Sequence, residues 1–297
     1  MRDPGLAAGL LCLCFACDMP GSNDRPDVHG HRGCRGLMPE NTLPGFLQAL
    51  DLGCDWLELD VVIAGDGSVI VSHEPWMSAE ICLDRNGRPF QAEHERLLNI
   101  HRMTLADMAL FDCGTKPHPG FPDQEHFAAT KPTLDSVVKA CEDHATENGL
   151  PEPRYSVEIK SDPALYGEFQ PLPAPFVRSV MARITELGIE DRCILQSFDP
   201  SVLQEVARTS PGTRIALLVD NHDGLEKNLQ RLGFEPAIYS PMFELVDKEL
   251  VRALQARNIE LVVWTVNRKK DIRRMVDLGV DGIISDYPDR VIRILDE

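Results

Sequence analysis

Trp56-Leu57-Glu58-Leu59-Asp60-Val61-Val62, then Ile63-Ala64-Gly65-Asp66-Gly67-Ser68, then Val69-Ile70-Val71-Ser72-His73, is the stretch on which the fold turns. Its first segment is a strand pattern in which Glu58 and Asp60, two apart, share one face. Leu57, Leu59 and Val61 share the other. The run up to Ser68 is too short for a parallel crossover, which takes about a dozen residues, so the two strands form a hairpin turned at Asp66-Gly67. Paired residue numbers then sum to about 132–133, which sets Asp60 opposite Ser72 or His73. The hairpin should stand above the rest of its sheet and return His73 to the level of the two acids.

Around it, short apolar runs alternate with amphipathic stretches. Candidate strands are Val28–Gly33, Trp56–Val62, Tyr155–Lys160, Cys193–Phe198, Arg214–Val219, Ala237–Met242, Leu261–Val266 and Gly282–Asp286. Helical patterns between them include Thr42–Leu52, Phe176–Leu187, Pro200–Thr209, Leu225–Leu232, Lys248–Arg257 and Lys269–Leu278. This is the signature of parallel β-α units. Eight such strands predict a closed α/β TIM barrel, for which about 250 residues is typical. An open doubly wound sheet competes, but no G-x-G-x-x-G follows the first strand. Residues from about 74 to 132 interrupt the alternation with Pro, Gly, His and charge. Coming straight after the hairpin, this insertion is placed to cap the barrel mouth; a plain surface loop is the alternative. The expected organisation is one barrel domain over 28–297.

The net charge is −17, with 43% apolar residues. That charge argues against a non-specific nucleic-acid binder, and a phosphate site here needs its own local cations and a metal. No apolar run approaches the ~20 residues of a membrane span. Arg2 and the apolar run Leu6–Ala16 read over residues 1–17 as an export signal, with Cys17 as a candidate lipid attachment point. Cys14 stands where a leucine is usual before such a cysteine. Export is favoured over a cytoplasmic location, and 18–27 reads as a linker. The cysteines beyond the leader show no metal-finger spacing, and the sequence does not pair any disulfide.

If Leu57, Leu59 and Val61 pack beneath helices, Glu58 and Asp60 point into the barrel. Glu158 repeats the pattern on the next barrel strand, with Val157 and Ile159 outward and Lys160 on its own face. An interior salt bridge to Lys160 would explain one acid and leave two unexplained. Three carboxylates on adjacent strands favour one hard divalent cation, Mg2+ or Ca2+. His31 ends the first strand and His73 returns to the same rim, so two imidazoles can divide proton removal and proton donation. Arg32 and Lys160 can hold phosphate oxygens. Asn41 or Thr42 caps the first helix, with Pro44 in its first turn. Glu40, just before, is carried with the substrate-side candidates. The other histidines, His29 included, read as ordinary core or surface residues.

His31-Arg32-Gly33, Pro39-Glu40-Asn41-Thr42, Glu58-Leu59-Asp60-Val61, the His73 segment, Glu158-Ile159-Lys160, Gln196-Ser197-Phe198, Trp264-Thr265-Val266-Asn267 and Asp281–Pro288 together resemble the glycerophosphodiester phosphodiesterase family, which is related to the PI-specific phospholipase C-like phosphodiesterases. The resemblance runs from about His29 to the C-terminus. It implies a TIM barrel and metal-dependent hydrolysis of a small-molecule glycerophosphodiester to glycerol 3-phosphate and an alcohol. It also implies that His31 and His73 are the acid/base pair and that Glu58, Asp60 and Glu158 hold the metal. Arg32 and Lys160 would contact phosphate, and Trp264 would line the glycerol or head-group pocket. Two positions depart from the pattern: Glu74 replaces an aspartate after the second histidine, and Ser285 replaces a threonine. A phospholipase D-like enzyme acting on lysophospholipids is the alternative, with Trp76, Met77, Ile81 and Phe90 as its lipid-access residues. A non-catalytic phosphodiester-binding protein is a third reading.

Overall fold

The structure is a computed structural model that describes residues 25–297. The leader, and Cys17 with it, lie outside the described residues. In chain order the strands are β1 (Asp27–Gly30), β2 (Trp56–Ile63), β3 (Val69–Val71), β4 (Tyr155–Ile159), β5 (Cys193–Ser197), β6 (Arg214–Val219), β7 (Ile238–Pro241), β8 (Glu260–Val263) and β9 (Gly282–Ser285). The first strand therefore begins inside the segment read as a linker. Helices α1 (Leu43–Leu52), α2 (Ala92–Glu95), α3 (Leu105–Met108), α4 (Leu134–Asn148), α5 (Pro173–Leu187), α6 (Pro200–Thr209), α7 (Leu225–Leu232), α8 (Lys248–Gln255), α9 (Lys269–Leu278) and α10 (Pro288–Leu295) connect them.

The sheet runs β1-β9-β8-β7-β6-β5-β4-β2, and β1 pairs with β2 to close it. All these pairings are parallel. This is the TIM barrel, with β3 hydrogen-bonded antiparallel to β2 outside the ring.

Alternation along β2 does what the pattern requires. Leu57, Leu59 and Val61 are buried in the main core, which also holds Phe46 of α1 and Val137 and Val138 of α4. Trp56 joins Ile194, Ala216, Ile238, Val262 and Ile284 in a separate apolar cluster, the barrel floor. Glu58 and Asp60, on Trp56's face, are thereby turned inward above that floor. The hairpin pairs Val61 with Val71 and Ile63 with Val69. That register sums to 132 and sets Asp60 opposite Ser72, whose amide donates to the Asp60 carbonyl at 3.0 Å. Gly67, at φ 87°, supplies the left-handed residue of the turn.

Beyond the ring, the face that carries Glu58 and Asp60 continues as Val62 and Ala64. These pack with Ile70 against Met77, Ile81, Ile100, Met103, Met108 and Phe111, a second core belonging to the insertion. A Cys82–Cys113 disulfide fastens it. The later part of the insertion grips the loop after β1: buried Gln124 donates to the Arg35 and Met38 carbonyls at 2.6 and 3.0 Å. Arg35 lies 4.6 Å over the Phe121 ring. The insertion thus clamps the loop after β1, and none of residues 75–132 lines the central cleft. No helix among the described residues is long and apolar enough to cross a membrane.

Candidate active site

The turn after β1 is set by two glycines. A Cβ on Gly30 would lie 2.2 Å from the Gly33 carbonyl oxygen, and one on Gly33 would lie 2.7 Å from Gly45 backbone. Gly33 also has φ 86°. This tight packing leaves His31 just past the strand end and turns the Arg32 amide toward Glu58 Oε2, to which it donates at 2.9 Å. Arg32 itself takes φ 50°, a conformation disfavoured for a side chain of that size. Its guanidinium donates to Glu40 Oε1 at 2.9 Å and lies 3.3 Å from Asp60 Oδ2.

Each histidine has its Nδ1 tied to a carboxylate. For His31 it is Asp286, just past β9, at 2.6 Å; for His73 it is the neighbouring Glu74, at 2.7 Å. Asp286 is held in turn by Arg35 Nε at 3.0 Å and Asn267 Nδ2 at 2.7 Å. Such bonds fix ring orientation and leave Nε2 for chemistry. Burial lowers the His31 pKa to about 4, outweighing the opposing pull of Asp286, so the ring is neutral near pH 7. Burial would raise Glu74, but its hydrogen bond and charge interaction with His73 win, bringing it to about 2.

Between the histidines lie the three acids. Asp60 pairs in register with Glu158, and Glu158 with Gln196. One oxygen from each of Glu58, Asp60 and Glu158 lies within 4.8 Å of the others, and all three residues are buried. Salt bridges account for part of this charge: Lys160 Nζ is 2.6 Å from Glu158, and Arg32 reaches Asp60. Glu58 has only the Arg32 amide, the Gln196 amide at 2.9 Å and neutral His31 at 3.9 Å. Burial raises Glu58 well above the ordinary carboxylate value, reinforced by Asp60 and Glu158. Glu158 is also raised by burial, despite Lys160. Asp60 goes the other way, because Arg32, His73 and Lys160 outweigh its burial. Asp60 Oδ1 is buried and accepts no hydrogen bond. A buried oxygen with no hydrogen bond and only the Lys160 ammonium at 3.7 Å, beside an unneutralised glutamate, fits a divalent cation.

The cleft above has a volume of about 260 Å³ and is lined by His31, Arg32, Glu58, His73, Glu158, Lys160 and Trp264. These are the sequence candidates apart from Asp60 and Glu40. Asp60 lies at the base of the cluster. Glu40 stays behind Arg32, bridging it to Arg35 at 3.4 Å, and so positions cations rather than lining the cleft. Asn41 is not a helix cap: Thr42 caps α1, while Asn41 donates to Asp60 Oδ2 at 2.9 Å. Trp264 packs edge-on against Phe198 at 5.3 Å and donates its indole N–H to the Ser240 carbonyl at 2.8 Å. Sequence reading assigned no role to Asp286, Asn267 or Gln196. Their signal was a polar residue on the inward face or just past the C-terminal end of a barrel strand.

Against known families, residues 31–290 match the model of the glycerophosphoryl diester phosphodiesterase family. The chain belongs to that family. A glycerophosphodiester phosphodiesterase of Caldanaerobacter subterraneus subsp. tengcongensis is 31% identical, over 90% of this chain and 97% of that one. A protein from Silicibacter pomeroyi DSS-3, solved under the same family name, is 32% identical with a TM-score of 0.81 and covers 92% of this chain and 93% of its own. An Oleispira antarctica phosphodiesterase, solved with the product sn-glycerol-3-phosphate, shares the fold at 20% identity and TM-score 0.72, covering 92% of this chain and 98% of its own. In this chain of the glycerophosphoryl diester phosphodiesterase family, the shared barrel carries two carboxylate-oriented imidazoles facing one acid cluster.

Proposed function

We propose that this glycerophosphodiester phosphodiesterase cleaves its substrates to sn-glycerol 3-phosphate and an alcohol by two-histidine acid/base catalysis with a divalent cation. The observation that carries the reading is the pair His31 and His73, each with Nδ1 bound to a carboxylate, lining one cleft with Arg32 and Lys160. One imidazole takes the proton of the attacking hydroxyl. As the new phosphorus–oxygen bond forms and the bond to the alcohol breaks, the other protonates the leaving oxygen. Neutral His31 is suited to the base role. Arg32 and Lys160 face the charge that grows on the phosphoryl oxygens. Glu58, Asp60 and Glu158 would hold the cation, Mg2+ or Ca2+, which when bound supplies positive charge to the phosphoryl group.

Attack by the glycerol 2-hydroxyl, giving a cyclic phosphate that water opens, and direct attack by water use the same groups. A cyclic intermediate with a slow substrate selects the first; its absence in single turnover selects the second.

The lysophospholipase alternative has less support. Met77 and Ile81 are core residues of the insertion, and Trp76 is packed against Phe169 with Arg96 4.8 Å over its ring. The non-catalytic reading leaves the two oriented imidazoles without a task. Export remains the proposed location, supported by the Cys82–Cys113 disulfide, a bond that persists in oxidising compartments.

The test is hydrolysis of glycerophosphocholine with Mg2+, with Ca2+ and with EDTA, alongside His31→Ala and His73→Ala. Release of glycerol 3-phosphate that needs a cation and both histidines is expected. Binding without hydrolysis under every metal condition would sink the proposal.

A further inference from the structure

Lys131 is a buried cation that the proposed chemistry leaves unused: it is 6% exposed and does not line the central cleft. Its chain neighbours fix where it sits. The Val71 amide donates to the Pro132 carbonyl at 2.8 Å, and Thr133 bridges antiparallel to Ile70. The end of the insertion thus runs beside β3, and α4 starts at once from its Thr133 cap. This brings the Lys131 side chain to Ser72, to whose Oγ the ammonium donates at 2.8 Å.

Burying an ammonium is costly, and among the described residues no carboxylate pairs with this one; its hydrogen bond is to the Ser72 hydroxyl. The charges of Glu74, Glu40 and Asp60 oppose its desolvation from farther away. A methionine would fill the same space without the penalty. Packing alone therefore does not account for a cation at this position.

What the ammonium touches leads to His73. Ser72 is fully buried, and its hydroxyl has a single hydrogen. Accepting from Lys131, it donates that hydrogen to the Glu74 carbonyl at 2.7 Å, in a relay whose bonds reinforce one another. The residue pinned in this way is the one whose carboxylate holds His73 Nδ1 at 2.7 Å. The Lys131 charge also favours the ionised form of that carboxylate.

We propose that Lys131 is a positioning residue for the His73 arm, fixing through Ser72 and Glu74 the imidazole that protonates the leaving alcohol. The proposal rests on the two-histidine reading, with neutral His31 as the base, and adds the residue that holds the acid. It is tested by kcat and KM for glycerophosphocholine and for the p-nitrophenyl ester of glycerol 3-phosphate. The proteins are wild type, Lys131→Met, Ser72→Ala and the double variant, each checked for folding by circular dichroism. A nitrophenolate departs without a proton, so it reports on everything except the acid.

In Lys131→Met, kcat for the choline diester should fall by about tenfold or more, with KM changed less than about twofold. The loss on the nitrophenyl ester should stay below about threefold. Ser72→Ala should show the same split, and the double variant should be no worse than the worse single one. A folded Lys131→Met enzyme with wild-type kcat overturns the proposal, as does an equal loss on both esters. If Lys131→Met does not fold, the split in Ser72→Ala decides, its presence supporting the relay and its absence overturning it. Failure of the wild type to hydrolyse either ester overturns the phosphodiesterase reading as well.

Discussion

His73 Nδ1 lies 2.7 Å from Glu74 Oε1, so a glutamate at this position reaches back to the imidazole immediately before it. The strand end is steadied from below: buried Lys131 donates to Ser72 Oγ at 2.8 Å, and Ser72 Oγ donates to the Glu74 carbonyl at 2.7 Å. Glu74→Gln keeps the shape but removes the carboxylate charge beside the His73 ring. We expect kcat to fall by about 10²-fold with KM little changed. Steady-state kinetics check this, and an unchanged kcat would mean that Glu74 does not serve His73.

Asp286→Asn should be comparably costly, because an amide can hold the His31 ring in the wrong tautomer. A loss of about 10²–10⁴ in kcat is expected. The pH profile adds a sign. Asp286 raises the His31 pKa, against the larger lowering by burial that brings it to about 4. Removing the carboxylate lowers that value further, so the acid limb of kcat/KM should move to lower pH. A limb that stays in place would remove His31 from the base role.

The acid cluster predicts a pH-dependent response to cations. Glu58 and Glu158 have raised pKa values when folded, so the folded metal-free chain binds protons that the unfolded chain releases near the ordinary value of about 4.3. Their stabilising contribution is full below that value and declines as pH rises toward their folded pKa values. A bound cation displaces those protons and relieves the penalty. The gain in unfolding temperature with Mg2+ or Ca2+ over EDTA should therefore grow from about pH 5 to about pH 8. At a hundredfold excess over Kd the gain corresponds to about 2.7 kcal/mol. Glu58→Gln should flatten the trend, and a pH-independent gain in wild type would count against binding at this cluster.

Gly33→Ala isolates the turn. The positive φ alone should cost about 1–3 kcal/mol, and the new Cβ meets Gly45 backbone at 2.7 Å. Denaturant unfolding should show at least this loss, with a fall in kcat as the Arg32 amide leaves Glu58. A loss below about 0.5 kcal/mol would contradict the packing described.

The barrel and its hairpin were legible because period-two alternation and a short turn leave few topologies. Leu57, Leu59 and Val61 declare the outer face, and the register follows from Asp66-Gly67 within one residue. The acid cluster followed from that same alternation. What was not legible depended on chain meeting chain at a distance. Asn41 sits where a helix cap is expected, yet its left-handed backbone turns its amide to Asp60. Nothing local to the His31 segment names Asp286, which lies 255 residues away. The insertion was opaque for a related reason: Met77 and Ile81 have the composition of an access surface, and only packing shows them consumed in a core of their own.

The pairing of β1 with β9 has a consequence for the life of the molecule. A growing chain exposes its histidines and acids early, but the group that orients His31 arrives with the last strand. Until the ring shuts, the His31 imidazole lacks the carboxylate that orients it. Under the proposed mechanism, turnover can therefore serve as a readout of ring closure.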